Sequence, residues 1–147
     1  MIQRKPLKDI HKAIRAKIRE VLEQAPELEE IKRIVYGEKV RVGTLQTPAI
    51  WIVPEPYAPN LLGGHTADHD IRFNFVVLVK DSDPEQGLEK AHDLALTVYD
   101  VLMQDRTLGG TVSDVRPTQI DPAYEMGNNT QVCWSAVQFD FRVKRRE

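Results

Sequence analysis

The chain has 147 residues, of which 41% are hydrophobic and 29% charged, as in ordinary globular proteins. This length predicts one domain over residues 1–147 that is large enough to bury a core. No apolar run approaches the roughly 20 residues that a membrane-spanning helix needs, and the N-terminus lacks the apolar core of a signal peptide. The single cysteine, Cys133, excludes an internal disulfide. We therefore expect a protein of a reducing cytoplasm with no membrane contact.

The net charge of −2 hides an uneven distribution of charge along the chain. Lys and Arg are concentrated in residues 1–19 and 142–146, whereas residues 20–141 are predominantly acidic. The simpler interpretation, which we favour, is a pair of solvated basic ends on an acidic body. The alternative is that unlike surfaces meet opposite charges on partners or on neighbouring copies.

The first predicted element is an amphipathic helix over residues 7–25. Its apolar residues recur at helical spacing: Leu7, Ile10, Ile14, Ile18, Val21 and Leu22. The other face is basic, and Pro26 is expected to end the helix. Such a helix can bind a membrane or nucleic acid, but we expect it to lie on a sheet with its lysines outward.

The next part of the chain alternates ambiguous and strand-like segments. Residues 31–47 fit a short strand or a helical turn equally well. Ala49–Val53 is a β-branched run between two prolines and predicts a buried strand. The prolines and glycines that follow predict a long loop at about 54–69. Asp70–Lys80 then alternates apolar and polar residues, which predicts a long strand.

The best-determined element is a helix within Asp83–Gly110, predicted to be helical over 84–105. Asp83 can cap it, Pro84 suits the first helical position, and Gln86 completes a capping box. Its apolar stripe, with Glu89 on the opposite side, is expected to be buried: Leu88, Ala91, Leu94, Ala95, Val98, Val101 and Leu102. Gly109–Gly110 are expected to end the run.

The last third of the chain predicts two more strands. Thr111–Ile120 is expected at a sheet edge because it contains Pro117. A polar connection over 121–129 leads to a strand over 131–144, in which Val137, Phe139, Phe141 and Val143 share one face. The predicted order is helix, strand, strand, helix, strand, strand. We therefore predict an α+β fold with a mixed or antiparallel sheet and both helices packed on one face.

Candidate chemistry is sparse in this sequence. His65, Asp68, His69 and Asp70 are close in the sequence, but two histidines four apart share a face only in a helix. We expect these histidines to face solvent in a polar loop, and we expect His11 and His92 to be surface groups. Cys133 has no activating neighbour in the sequence and is expected to be structural. We predict no catalytic, cofactor-binding or metal-binding residue, and a protein that is not an enzyme.

Four runs carry a resemblance to a known family: Thr47–Val53, Asp70–Val79, Asp83–Gly110 and Trp134–Val143. In these runs and in the order of its elements, the chain resembles the tail terminator proteins of long-tailed bacteriophages. These are also called minor tail or tail completion proteins, and the lambda-type terminator is one of them. The resemblance covers nearly the whole chain except residues 26–47.

The resemblance implies a virion structural protein of a phage or prophage, assembled in the bacterial host cytoplasm. It implies an α+β subunit that forms a ring, usually hexameric, on the end of the tail tube and later takes part in head–tail joining. The expected partners are further copies of the chain, the tail tube protein and the head–tail connector proteins, with DNA only as passing cargo. No cofactor or catalytic residue is implied.

Three functional hypotheses remain open at this point. The first is the ring protein, for which we expect interaction through the basic residues Arg142, Lys144, Arg145 and Arg146. The alternatives are a head-completion or neck protein of similar fold, or a small α+β module that binds a ligand or nucleic acid. A metal-dependent enzyme at His65 and His69 is the least favoured hypothesis.

Overall fold

The computed structural model describes residues 5–37, 42–127 and 131–147, with the side chain of Val42 left aside. Residues 38–41, which belong to the ambiguous segment 31–47, therefore lie outside the described part of the chain. Within it, two α-helices pack against one mixed sheet, which confirms the predicted α+β class. No helix in these ranges is long and apolar enough to cross a membrane.

The helix α1 spans Leu7–Gln24, close to the predicted 7–25. Its buried residues recur every fourth position: Ile10, Ile14, Ile18 and Leu22. Pro26–Leu28 follows as one turn of 3₁₀-helix, so the helix ends before Pro26 as expected. The apolar stripe of α1 packs toward the sheet, and two charged side chains at its border also reach the sheet: Arg15 lies over the Tyr36 ring and Arg19 donates to the Ile34 carbonyl.

The helix α2 spans Pro84–Met103 and is capped by Asp83, whose carboxylate accepts from the backbone N–H of Glu85 at 3.1 Å. Leu94, Ala95, Val98 and Leu102 are buried and Glu89 is exposed, which confirms the predicted packing face.

The helix stops at Met103, two residues before the predicted limit of 105, but the prediction that Gly109–Gly110 end it is wrong. The Asp105 carboxylate accepts from the backbone N–H of Thr107 at 3.0 Å and of Gly109 at 2.8 Å. An aspartate that binds the amides ahead of it stabilises a turn in place of another helical turn. The two glycines have φ of 65° and 82° and belong to this turn, which also buries Leu108.

Seven strands of the described chain form one sheet, and five of them lie side by side in the order β1-β2-β4-β7-β5. Their bounds are β1 Arg33–Tyr36, β2 Ala49–Glu55, β3 Asn60–Leu62, β4 Thr66–Lys80, β5 Asp114–Ile120, β6 Tyr124–Glu125 and β7 Val132–Arg146. β1 pairs with β2 in parallel and all other pairs are antiparallel. The short strands β3 and β6 pair with the ends of β4 and β7.

The predicted long loop at about 54–69 is wrong. Pro54 lies inside β2, and residues 60–62 pair with residues 66–68 as a hairpin. Gly64 and His65 have φ of 74° and 62° and form its turn. A proline fits in β2 because the described pairing of β1 with β2 reaches only to Ile52, so the missing N–H of Pro54 faces no partner strand within the described residues.

The other strands differ from expectation mainly at their ends. β4 begins at Thr66 instead of Asp70, and β7 runs to Arg146 instead of Lys144. β5 begins at Asp114 rather than Thr111, and it lies at a sheet edge with a register shift after Pro117, as its proline predicts. In the connection predicted over 121–129, the two-residue strand β6 forms, and residues 128 and 129 lie outside the described part of the chain. Part of the ambiguous segment 31–47 becomes β1.

The core lies between the helices and one face of the sheet, which we call the covered face. Its centre is a layer of four fully buried rings, Phe73, Phe75, Phe139 and Phe141, with centroid separations of 5.9 to 6.3 Å. The other face, here called the open face, carries a small apolar cluster around Val76, Leu78, Val132 and Ala136. Trp51, Val53 and Trp134 pack against this cluster, and the stretch from Asp68 to Asn74 carries polar side chains on the open face.

Candidate interaction surface

The four basic residues predicted to interact lie at the C-terminal end of β7, within residues 142–146. Arg142, Lys144 and Arg146 belong to the open face by strand alternation, whereas Arg145 points to the opposite side. Arg145 Nε donates to the backbone carbonyl of Lys5 at 3.2 Å. The start of α1 and the end of β7 therefore lie at the same end of the molecule, which we call the basic end.

Two of the four basic side chains are engaged within the chain. Arg142 donates to both carboxylate oxygens of Asp70 at 2.8 and 3.0 Å, and Arg145 pairs with Glu147. The hydrogen bond from Arg142 lowers the pKa of Asp70 despite its partial burial. Lys144 and Arg146, by contrast, are exposed. Of the four predicted residues, these two are therefore the ones that present their charge to solvent.

The hairpin of β3 and β4 lies beside these two cations. Leu62 pairs with Thr66, and Thr66 pairs with Arg146 on its other side. The hairpin side chain Leu61 is 74% exposed, and Leu62 is exposed as well. The basic end thus presents an apolar tip next to positive charge, an arrangement common at protein–protein contacts. The sequence analysis did not predict this hairpin, although a Gly-Gly pair between two short runs, here Gly63–Gly64, is a hairpin signal.

A chain of hydrogen bonds holds the basic end together. His11 Nε2 lies 2.9 Å from the Tyr57 hydroxyl, which lies 3.0 Å from His69 Nδ1, and His69 Nε2 lies 3.0 Å from Glu147 Oε1. Because a carboxylate only accepts, His69 donates from Nε2 and accepts from Tyr57 at Nδ1 in the neutral ring. The Tyr57 oxygen then accepts from His11. This chain ties α1, the segment after β2, β4 and β7 to one another.

The surroundings change the pKa of three members of this chain. Burial lowers the pKa of His11, with Arg15 and His69 adding to the effect. Burial raises the pKa of the Tyr57 hydroxyl. Burial by itself raises the pKa of Glu147, but hydrogen bonds from His69 and Arg145 outweigh this effect and leave the pKa below its ordinary value. The chain therefore favours neutral His11 and Tyr57 and an ionised Glu147.

Three of the four histidines do not have the environments that the sequence predicted. His69 is 2% exposed, so the expectation that it faces solvent is wrong, and His65 alone lies in an exposed turn. His11 is half-buried against Tyr57. His92 is half-buried with Nδ1 3.2 Å from the Ser135 hydroxyl. Both were expected to be surface groups, and both instead bond across packed elements.

The structure does not bring His65, Asp68, His69 and Asp70 together around one point. Asp68 and Asp70 belong to the open face by alternation and His69 to the covered face. Within residues 5–37, 42–127 and 131–147, no group of three or more ligating side chains is placed to hold a metal ion. Asp68 is buried, and its Oδ1 has no hydrogen-bond partner within this part of the structure.

Cys133 is buried where α2 crosses β7. A Cβ added to Gly87 would lie 2.8 Å from Cys133 Sγ, so the helix packs directly on the sulfur. Burial raises the pKa of the thiol, and the nearby Glu125 and Asp81 carboxylates raise it further. A thiol with a raised pKa is a poor nucleophile, which agrees with a packing role.

The fold and this surface define an α+β protein with a basic, leucine-tipped end to its sheet. No family model matches the chain, and no curated protein is similar to it in sequence.

Proposed function

We propose that this chain is a structural protein of a bacteriophage or prophage tail, a terminator that forms a ring on the end of the tail tube. The observation that carries the proposal is the basic end, where the exposed Leu61 and Leu62 lie beside Lys144 and Arg146. Four sequence runs resemble tail terminators, and from this resemblance we infer that the partner of this surface is the tail tube.

The basic end has the parts that a docking surface needs. Exposed leucines supply apolar contact, which accounts for most of the affinity of such interfaces, and nearby cations set orientation and on-rate. The surface is anchored from within by the His11–Tyr57–His69–Glu147 hydrogen bonds. An anchored apolar tip loses little conformational freedom when it binds, which favours affinity.

In this proposal the chain acts without a cofactor and catalyses no reaction. Its partners are further copies of itself, six in the complete ring, the tail tube protein and the head–tail connector proteins. It works in the virion after assembly in the bacterial host cytoplasm, and DNA passes through the ring only as cargo. A head-completion or neck protein is the alternative with the same architecture.

Cosedimentation with polymerised tail tubes tests the proposal directly. We expect the wild-type protein to sediment with tubes and to cap their ends in electron micrographs. Leu61→Ser is expected to abolish most of this binding, whereas Leu96→Ser, which removes an exposed leucine from α2, leaves it unchanged. Binding should also weaken at high salt, since exposed charges are screened over about 8 Å at physiological ionic strength.

Two other outcomes identify the alternatives. Binding to purified head–tail connectors without binding to tubes favours the head-completion protein. Binding to DNA oligonucleotides that falls with salt and is lost in the Lys144→Gln, Arg146→Gln double variant favours a nucleic-acid-binding module. A protein that binds none of the three contradicts the proposed function.

A further inference from the structure

The two lateral edges of the sheet carry different exposed apolar residues on the same transverse row. β1 forms one edge and β5 the other. The strand registers align Tyr36, Ile52, Phe75, Val137 and Ile120 across the whole sheet. The two ends of this row, Tyr36 and Ile120, are 41% and 47% exposed, whereas the three residues between them are buried.

At the β1 edge, a groove with a volume of about 360 Å³ lies between α1 and the sheet. Tyr36 and Ile52 line it from the sheet, and Lys12, Arg15 and Arg19 line it from α1. The Arg15 guanidinium lies 5.3 Å from the centre of the Tyr36 ring, and Arg19 donates to the Ile34 carbonyl at 2.9 Å. The groove therefore combines apolar walls with a positively charged rim.

The β5 edge has the opposite character. Ile120 is followed by Asp121, and the exposed Tyr124 and Glu125 come next along the same edge. Residues 120–127 contain two acidic residues and no basic one. This edge therefore presents exposed apolar side chains together with negative charge, which complements the groove at the other edge.

We propose that the α1–β1 groove binds the β5 edge of a second copy of this chain. In this contact Ile120 of one copy enters the groove beside Tyr36 of the next, and Asp121 faces the arginines of the rim. The proposal rests on the proposed function in that it names the lateral contact of the ring. The tail tube is contacted elsewhere, by the basic end.

The placement of the two surfaces favours a closed ring. They lie at opposite edges of one sheet, at the same level along the strands and toward the covered face. Copies related by rotation about an axis along the strands keep this level constant, so the last copy can meet the first. Different surfaces on the two sides of each contact make it heterologous, as such a ring requires.

Zero-length carbodiimide cross-linking of the wild-type protein is the first test. Lys12 and the acidic residues Asp121 and Glu125 lie at opposite edges, about four strand spacings or roughly 19 Å apart within one chain. A cross-linked peptide that joins Lys12 to either acid is therefore intermolecular. We expect this peptide together with a ladder of oligomers on a denaturing gel. Its absence, with tubes present or not, overturns the proposal.

Charge reversal is the second test. Arg15→Glu and Asp121→Arg should each weaken self-association about tenfold or more in sedimentation velocity, because like charges then face each other across the contact. A mixture of the two single variants should recover association. The groove of one variant then meets the β5 edge of the other variant with opposite charges at every contact. The matched control, Leu96→Asp, should associate as the wild type does. A mixture that stays as weak as its components contradicts the contact.

The outcomes separate this proposal from the proposed function. Tube binding without the Lys12 cross-link overturns the lateral contact and leaves the terminator function in place. Cross-linking and charge rescue without tube or connector binding establish the contact and overturn the function. Ile120→Asp gives an independent check, because it should reduce association without changing the binding of Leu61 to the tube.

Discussion

The two faces of the β4–β7 pair show how one alternating pattern serves two different purposes. On the covered face, phenylalanines from both strands pack edge to face under the helices. On the open face, the same strands carry ion pairs between Asp70 and Arg142 and between Arg72 and Asp140. Substitutions at neighbouring residues of one strand should therefore change the free energy of unfolding by very different amounts.

The difference follows from the solvent environment of each face. A buried aromatic ring loses all its contacts when truncated, and the helices cannot fully close the cavity. An ion pair that is a third exposed exchanges protein contacts for hydration, so its net contribution is small. We expect stability to depend mainly on the covered face and interaction mainly on the basic end and the two lateral edges of the sheet.

The largest effect should come from the phenylalanine layer. Phe139→Ala removes a fully buried ring that contacts Tyr99 and Phe75, and it should lower the free energy of unfolding by about 3–5 kcal/mol. Gln138→Ala, one residue earlier on the open face, should change it by about 0.5 kcal/mol or less. Chemical denaturation measures both, and equal effects would contradict the assignment of faces.

The next largest effect should come from the His11–Tyr57–His69–Glu147 hydrogen bonds. Tyr57→Phe removes the hydroxyl that bonds His11 and His69 and leaves the buried His69 Nδ1 without its donor. We expect a loss of about 1–3 kcal/mol in the free energy of unfolding. Tyr99→Phe is a matched control because the same atom is removed from a ring that packs on Phe139. An unchanged stability of Tyr57→Phe would mean that the hydrogen-bond chain contributes nothing net.

The ion pair of Asp70 with Arg142 should contribute about 1 kcal/mol near neutral pH, as a bidentate pair at the upper end of the range for exposed pairs. The pKa of Asp70 is lowered on folding, mainly by the hydrogen bond from Arg142. Its contribution is therefore complete above the unfolded value, about 3.8, and is lost as the pH falls through the folded value. Asp70→Asn should be less stable than wild type at pH 7, and the difference should shrink below about pH 4. A difference that stays constant with pH would exclude a charge effect.

The smallest effect on stability should come from the exposed hairpin tip. Leu61→Ser should change the free energy of unfolding by less than about 0.5 kcal/mol, because the side chain is 74% exposed. Thermal unfolding measures this in the same preparation used for tube binding. A strong destabilisation would show that the leucine packs within the chain and would weaken its proposed role at a contact.

The long regular elements could be predicted from the sequence because each carries its own periodicity. The apolar residues of α1 and α2 recur at helical spacing, and apolar and polar residues alternate over residues 71–75 of β4 and 137–144 of β7. The short elements could not be predicted with equal certainty. β1, β3 and β6 have two to four residues each, too few for a period, and their pairing with longer strands decides their structure.

The contacts at the basic end lie beyond what local sequence can indicate. Tyr57 meets His11 from 46 residues away, and His69 meets Glu147 from 78 residues away. The prediction that His69 faces solvent failed because its environment is set by these distant partners. The interaction residues on β7 were predicted from charge alone, and charge alone does not separate the paired Arg142 from the exposed Arg146.

The two ion pairs of the open face also constrain how the longest strands can align during folding. β4 and β7 each contain an Asp-x-Arg sequence, Asp70–Arg72 and Asp140–Arg142, and the native antiparallel alignment sets Asp70 opposite Arg142 and Asp140 opposite Arg72. Sliding one strand by two residues keeps the apolar face inward but sets Asp70 opposite Asp140, or Arg72 opposite Arg142. Like charges directly opposite each other are destabilising in a sheet. The same four side chains that contribute little to native stability therefore discriminate against the misaligned sheets that hydrophobic alternation alone would permit.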